Sequence, residues 1–345
     1  MMGCVNPRRA RLRDVAAACG VSTSTVSYVL AGKADERGIS TGTADRVSAV
    51  ATELGYVRDR SAQALRRGST STLVLFYEPP MDRFVERYLL RATRALVGSG
   101  LQILSLPVLD SDATTIVNAL RSGICDAGIL GVSVELAQAV GDLMPVPPVP
   151  AVVLGATDST PDGYDRVFYE EGAAIQEALA FVCPRGTERV VMAAQEEDVE
   201  VARQSRRWNA YAAFQAGRGA KAELLMHAGA SMPRAFAQAL DVLARLREDG
   251  QLPDVVYCGA DRVAIGVTMA AAQLGIAVPE TMSVLGTGNS SEAEAHTPPL
   301  SSVGLGDESV DAVISHLLER LDDSSANASA ITERWRLFPR RTTRN

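Results

Sequence analysis

The sequence predicts a chain of two unlike parts: a small all-α head with a helix-turn-helix arrangement, then a larger α/β body built on parallel sheets. Three observations predict it. Residues 1–70 carry 11 Lys and Arg against 6 Asp and Glu, whereas the remaining residues carry 23 against 35. The basic part has apolar residues at helical spacing and short hydroxyl residues where helices must start. From Thr72 onward, short apolar runs alternate with helical patterns, as expected of strands buried on both faces of a helix-covered sheet. With 345 residues, 47% hydrophobic and 22% charged, the chain is an ordinary globular protein of two or three domains.

The net charge of −7 does not by itself suggest nucleic acid. A basic head on an acidic body does, although a charged terminus in plain solvent has the same composition. No apolar run reaches about 18 residues, so no transmembrane helix and no membrane partner are expected. The N-terminus lacks an apolar stretch of signal-peptide length. Five cysteines (Cys4, Cys19, Cys125, Cys183, Cys258) are scattered without a CxxC pair. That spacing argues against a disulfide framework or a zinc site and for a reducing cytoplasm. No metal and no cofactor are expected.

The first helix begins near Leu12 and ends at Cys19, where Gly20 supplies a left-handed stop. The second follows Val21, with Ser22 as its N-cap, and runs to Leu30. Val15, Val21, Val26 and Leu30 pack the two helices together, and Ala16 lets them cross closely. Thr23, Ser24, Ser27 and Tyr28 share one outward polar face. A third helix runs from Thr41 to about Leu54, capped by Ser40 and ended by Gly55, with Val47, Val50 and Leu54 as its apolar positions.

In the body, strands are expected at 72–77, 101–106, 127–132 and 151–155, with helices near 82–98, 111–121 and 133–143. After the Pro-rich loop at 144–150, strands follow near 189–193, 223–226, 254–258 and 282–286. Helices lie near 171–182, 201–216, 233–248 and 261–274. A lobe boundary is expected just after the strand that follows the Pro-rich loop.

The head carries Asp14-Val15-Ala16, Gly20-Val21-Ser22, Thr25-Val26-Ser27, Val29-Leu30 and Leu54-Gly55-Tyr56, then an Arg- and Ala-rich segment. This ordered set resembles the LacI/GalR family of bacterial transcription regulators. The resemblance implies a homodimeric, sequence-specific regulator, a repressor, bound to a near-palindromic double-stranded operator. It implies a head at 10–58, a hinge at 59–70 and a core with the fold of periplasmic sugar-binding proteins. The core's first lobe would be 71–156 with 304–322, and its second 157–303 with 329–345. Three crossovers would join the lobes, with a small-molecule effector in the cleft between them.

By resemblance, Thr23, Ser24 and Tyr28 are the base-edge readers. Ser22, Thr25 and Ser27 suit phosphate contacts or helix caps, because short hydroxyls position a helix without specifying sequence. Many relatives have Arg where Tyr28 stands, so a bidentate contact to guanine does not carry over; packing of Tyr28 against the third helix is the alternative. In the hinge, Leu65 matches the leucine that wedges into the minor groove and kinks it. Ala62 lets paired hinge helices approach, and Arg60 and Arg66 reach phosphates.

The effector site matches less well. Arg207 matches an arginine that donates a fork of hydrogen bonds to the ligand. Where the family has an Ala-Asn-Asp run, this chain has Gly259-Ala260-Asp261, with Asp261 expected to cap the next helix. Where it has a clamping aspartate, this chain has Gly288. The remaining effector candidates are Phe84, Tyr169, Arg207, Trp208 and Asn289, with Tyr88 and Asp110 behind them. They suit an apolar or aromatic ligand, an anion held by Arg207, or no ligand; a regulator whose cleft no longer senses a sugar is the alternative reading. The terminal segment Trp335–Thr343 matches the family's last strand, and its arginines (Arg334, Arg336, Arg340, Arg341, Arg344) are expected to be a solvated chain end. An enzyme is disfavoured: His227, His296 and His316 fall in no catalytic or metal spacing, and Gly286-Thr287-Gly288 is a lone fragment.

Overall fold

The computed structural model describes residues 10–56, 69–79, 81, 83–196, 198–228, 231–323 and 327–344. The chain divides into two compact units, Met1–Thr70 and Ser71–Asn345.

The first unit packs α1 (Leu12–Cys19), α2 (Thr23–Leu30) and α3 (Thr41–Glu53), with a single 3₁₀ turn at Asp35–Arg37. Gly20 stops α1 at φ +62°, and its neighbour Val21 donates back to the Ala16 carbonyl (3.1 Å). The Ser22 hydroxyl accepts from the Thr25 N–H (3.0 Å) and starts α2. Val15, Val26 and Val47, one from each helix, are fully buried. Each such burial contributes about 1.5–3 kcal/mol, a large share of what holds so small a unit. Val29 is buried with them, while Val21 and Leu30 are only partly covered. Leu54, expected in this core, lies just past the end of α3 and is 42% exposed. The proposed hinge residues Arg60, Ala62, Leu65 and Arg66 lie outside the described residues.

The second unit has two six-stranded sheets. The first, in the order β11-β5-β4-β3-β1-β2, contains β1 (Thr72–Tyr77), β2 (Gln102–Pro107), β3 (Ala127–Gly131), β4 (Ala151–Leu154), β5 (Asp165–Glu170) and β11 (Ala330–Arg334). All of its pairings are parallel. The second, in the order β12-β10-β9-β8-β6-β7, contains β6 (Val190–Ala194), β7 (Leu224–His227), β8 (Val255–Cys258), β9 (Ser283–Thr287), β10 (Ser301–Gly304) and β12 (Arg336–Phe338). There only β12 runs antiparallel, against β10. Two apolar clusters flank each sheet, as parallel sheets require.

The helices around the first sheet are α4 (Arg83–Ala95), α5 (Ala113–Arg121), α6 (Val134–Leu143) and α13 (Asp307–Asp322). Around the second lie α7 (Glu171–Val182), α8 (Val199–Gln204), α9 (Arg206–Gly217), α10 (Met232–Glu248), α11 (Asp261–Gln273) and α12 (Ser291–Ala295). The chain crosses between lobes three times: from β5 into α7, from β10 into α13, and from β11 into β12.

This topology corrects the expected lobe boundary. The chain leaves the first lobe after Glu170, not after residue 156. Strand β5 escapes a search for continuous apolar runs because its sequence, DRVFYE, alternates buried and half-buried positions. The C-terminal segment 329–345 is likewise shared: β11 completes the first sheet and β12 the second. One expected helix at 201–216 is two, because Ser205 breaks the run and caps α9 by accepting from the Trp208 N–H (3.1 Å).

Two polar networks hold strands that carry little apolar surface. Asp165, fully buried on β5, accepts from His316 Nε2 (3.0 Å), Arg320 Nε (3.2 Å) and the Ser329 N–H (2.9 Å). It thereby docks α13 and the start of β11 against β5.

The second network is the chain end, which is not solvated as expected. Thr342 and Thr343 are buried. The Thr342 hydroxyl accepts from the Ser301 N–H (2.9 Å) and donates to the Val284 carbonyl (2.7 Å). Arg344 donates to the carbonyls of Pro279, Glu280 and Thr281. The tail thus satisfies backbone groups that no strand reaches.

Candidate functional site

Two places concentrate exposed or under-used polar groups: the outward face of α2 and the cleft between the lobes of the second unit.

On α2, Thr23 and Ser24 are exposed, and no side-chain hydrogen bond commits either among the described residues. Ser22 and Thr25 are committed to each other: their hydroxyls are 2.8 Å apart and Ser22 also caps the helix. Tyr28 is half-buried. The Arg37 guanidinium, from the 3₁₀ turn, covers its ring at 4.7 Å from the centroid. Cation–π stacking of this kind orients the guanidinium, and Arg37 itself is exposed. The face therefore ends in a cation that sequence reasoning missed; no helical spacing connects positions 28 and 37. Its geometry suits the major groove, where a helix presents hydroxyls and donors to base edges.

The cleft holds a cavity of about 530 Å³, a size that suits a small organic ligand. Its floor is built from residues just past the carboxyl ends of strands: Gln195 after β6, Ala260 after β8, Gly288 and Asn289 after β9, Gly306 after β10. That is where open α/β sheets place ligands, because the strand ends there leave a crevice. Phe84, Trp335 and Phe338 supply aromatic walls.

Arg207, in the first turn of α9, lines the cavity as expected. It donates to Glu171 Oε2 (3.3 Å), Gln195 Oε1 (3.1 Å) and the Gly259 carbonyl, and its guanidinium sits 5.4 Å from the Trp335 ring centroid. Phe84 and Asn289 line the cavity too. Asn289, at φ +52°, is fully engaged: Nδ2 donates to the Leu305 carbonyl (2.9 Å) and Oδ1 accepts from Arg340 Nη2 (2.6 Å).

Two expected ligand residues fall outside the cavity lining. Tyr169 lies against Phe84 edge-on (centroids 5.1 Å), and its hydroxyl meets that of Tyr88 at 3.0 Å. Burial pushes both phenols up from the ordinary value. Trp208 lies half-buried, edge-on against Tyr211 (5.5 Å), beside the core of the second lobe. Tyr169 lines a separate pocket with Glu170, Glu171 and Gly172. Asp110 is an exposed loop residue and Tyr88 is fully buried; neither lines the cavity.

Asp261 does not cap α11. Its carboxylate is buried and accepts from the Ser290 N–H (2.7 Å) and the Ser302 hydroxyl (2.6 Å). Burial raises its pKa against the lowering effect of these donors. A Cβ on Gly286 would overlap this carboxylate, and one on Gly304 would meet the Gly288 backbone at 2.7 Å. The glycines therefore serve close packing beneath the cleft.

Trp335 and Arg340, both missed from sequence, come from the segment that closes the two sheets. Arg87 was missed too. From α4 in the first lobe it donates to the carbonyls of Asn289 (3.1 Å) and Leu305 (2.9 Å) and to Asp307 (2.7 Å). With the Arg83–Glu292 ion pair, it ties the lobes across the cleft mouth.

Known proteins place this arrangement. The model of bacterial regulatory proteins of the lacI family matches residues 11–59, and that of the periplasmic binding protein-like domain matches residues 180–343. The head is a lacI-family domain, joined to a periplasmic binding protein-like domain. Among curated relatives, the ribose operon repressor of Escherichia coli is 24% identical over 328 residues, covering 90% of this chain and 94% of the relative. The maltose regulon regulatory protein MalI of the same species is 36% identical over 135 residues, 37% of this chain and 39% of that relative's length. Among solved structures, the lac repressor dimer bound to operator and the anti-inducer ONPF superposes with a TM-score of 0.74. It has 19% identity and covers 98% of this chain and 100% of that one. At that identity the likeness establishes the family's shared fold, a helix-turn-helix head with a two-lobed parallel α/β core.

Proposed function

We propose that this chain, with its lacI-family head, is a cytoplasmic, sequence-specific transcription repressor that binds a near-palindromic operator as a homodimer and responds to a small effector in its cleft. The exposed face of α2 carries the reading: Thr23 and Ser24 stand uncommitted on a helix whose start is capped by Ser22. In the dimer, each head reads one half-site in the major groove, so the operator mirrors the two-fold axis. Leu65 from each subunit wedges at the centre, Ala62 allows the paired hinges to meet, and Arg60 and Arg66 hold phosphates. Effector binding changes the lobe angle and hence the population able to grip DNA. A narrower version has support in Ala260 and Gly288, which leave the cleft without the amide and carboxylate that clamp a sugar: regulation there no longer answers to a sugar. Nothing in the reading calls for catalysis.

Selection of bound sites from random duplex DNA by the full-length protein tests it; a two-fold symmetric site is the expected product. Changing Thr23 to Val or Ser24 to Ala shifts base preference within the half-site, at about 1–3 kcal/mol per affected base pair. Arg66→Ala weakens binding evenly across sequences and lowers the salt slope by about one. An unchanged preferred site in both α2 variants would show that another element reads the bases. Leu65→Ala is expected to weaken specific binding far more than non-specific binding, measured by competition at fixed salt. Equal loss on both would remove Leu65 from the centre of the site.

A further inference from the structure

We propose that the cleft ligand is a small organic anion, a carboxylate or phosphate carried on a flat apolar frame, and not a neutral sugar. The proposal rests on the reading of the cleft as an effector site and names what it takes.

The argument is a count of donors and acceptors. Each deep acceptor of the cavity lining already takes at least one donor or is turned away. The Asp261 carboxylate takes the Ser290 N–H and the Ser302 hydroxyl. Asn289 Oδ1 takes Arg340, and Gln195 Oε1 takes Arg207. Thr287 turns its hydroxyl to the Cys258 carbonyl (2.8 Å).

The donors are in surplus. The Trp335 indole is 93% buried (7% exposed), and its Nε1–H has no hydrogen-bond partner among the described residues. A buried donor left unmade is costly. Arg340 is half-buried, and its guanidinium meets only neutral acceptors, Asn289 Oδ1 and the Leu300 carbonyl (2.8 Å), with Phe338 5.7 Å from its carbon. Desolvation lowers its pKa, against the raising effect of the nearby Glu294 and Asp261 carboxylates. Arg262, on the first turn of α11, lines the same cavity with no ion pair among the described residues.

The lining carboxylates stand differently. Glu292, Asp307 and Glu308 are paired with Arg83, Arg87 and Arg336. Glu86 is paired with Arg83, and Glu294 is exposed. A polyol entering this space finds its deep acceptors already engaged and Glu294 as the one exposed lining carboxylate without an ion pair among the described residues. An anion brings acceptors only, and Arg forks match carboxylate and phosphate oxygens. Phe84, Trp335 and Phe338 then cover the frame.

The test is titration of the full-length protein with benzoate, phenyl phosphate, inorganic phosphate, benzyl alcohol, ribose and glucose. The readouts are thermal shift and the fluorescence of the two tryptophans, Trp208 and Trp335. Saturable binding of benzoate or phenyl phosphate is expected, with benzyl alcohol and both sugars at least tenfold weaker. Whichever of the two aromatic anions binds tighter identifies the charged group. Arg340→Gln is expected to weaken the anion at least tenfold. Trp335→Phe, which keeps the ring and removes only the N–H, weakens it several-fold and keeps the protein folded should the arginine variant fail. Tighter binding of a sugar, equal binding of benzyl alcohol, or silence toward both aromatic anions overturns the proposal. Inorganic phosphate binding as tightly as phenyl phosphate overturns the apolar frame. Site selection on the same preparation is a separate readout. A protein that selects DNA yet ignores the anions sinks only the ligand class, and one that binds benzoate without selecting DNA sinks the repressor reading.

Discussion

A chain ending at Pro339 is expected to melt roughly 10 °C or more below the full-length protein. The missing residues include the buried Thr342 and Thr343, which bond into the second sheet. Without Thr342, the buried Ser301 N–H and the Val284 carbonyl lose its hydroxyl; without Arg344, the half-buried Pro279 carbonyl and the exposed Thr281 carbonyl pass to water. Each buried orphan costs about 1–3 kcal/mol, and a protein of this size loses about 2–4 °C per kcal/mol. Thr342→Val gives a cleaner comparison, because the shape is kept and only the hydroxyl is removed. It should cost about 2 kcal/mol or more, whereas Arg341→Ala, at an exposed position, should stay within about 0.5 kcal/mol. Thermal unfolding of the four proteins side by side decides it. A truncated chain with an unchanged midpoint would mean that the tail is solvated after all.

Replacing Asp165 by Ala is expected to cost about 3–5 kcal/mol. The carboxylate is fully buried, and its removal strands Arg320, whose Nη1 is already buried without a partner. Breaking a buried ion pair on one side leaves an uncompensated charge, and this is more damaging than never having had the pair. The damage should be local before it is global. Ser329 loses its anchor, so β11 should exchange its amide protons faster while the second sheet stays protected. Denaturant unfolding and hydrogen exchange on the variant measure both parts. A loss under about 1 kcal/mol, or equal loss of protection in both sheets, would contradict the role given to Asp165.

The two networks mark where sequence reading stops. Asp165 sits in a strand whose alternating pattern hides it, and its partners His316, Arg320 and Ser329 are more than 150 residues away. The terminal arginines look like any basic chain end until the sheet they close is in place. The cleft has the same character. Arg207 was legible because it matches an arginine of the family that the head resembles, and it does line the cavity. Trp335 and Arg340 were not, since they enter the cavity only through the last crossover. Tyr169 and Trp208 lie outside the main cavity for the complementary reason: an aromatic side chain suits core and pocket equally, and only packing decides.

What the sequence determined by itself is what local physics decides. Gly20 and Gly55 stop helices, Ser22 and Ser40 start them, and apolar residues at periods of 3.6 and 2 choose helix or buried strand. These rules, with the ordered motifs of the head, already separate a helical reader from an α/β body. The tertiary structure decided the rest: which lobe owns β5, that the chain end is buried, and that the deep acceptors of the cleft are already engaged. Those are properties of groups distant in sequence that share one dry space. There the cost of an unpaired donor or charge depends on every neighbour at once.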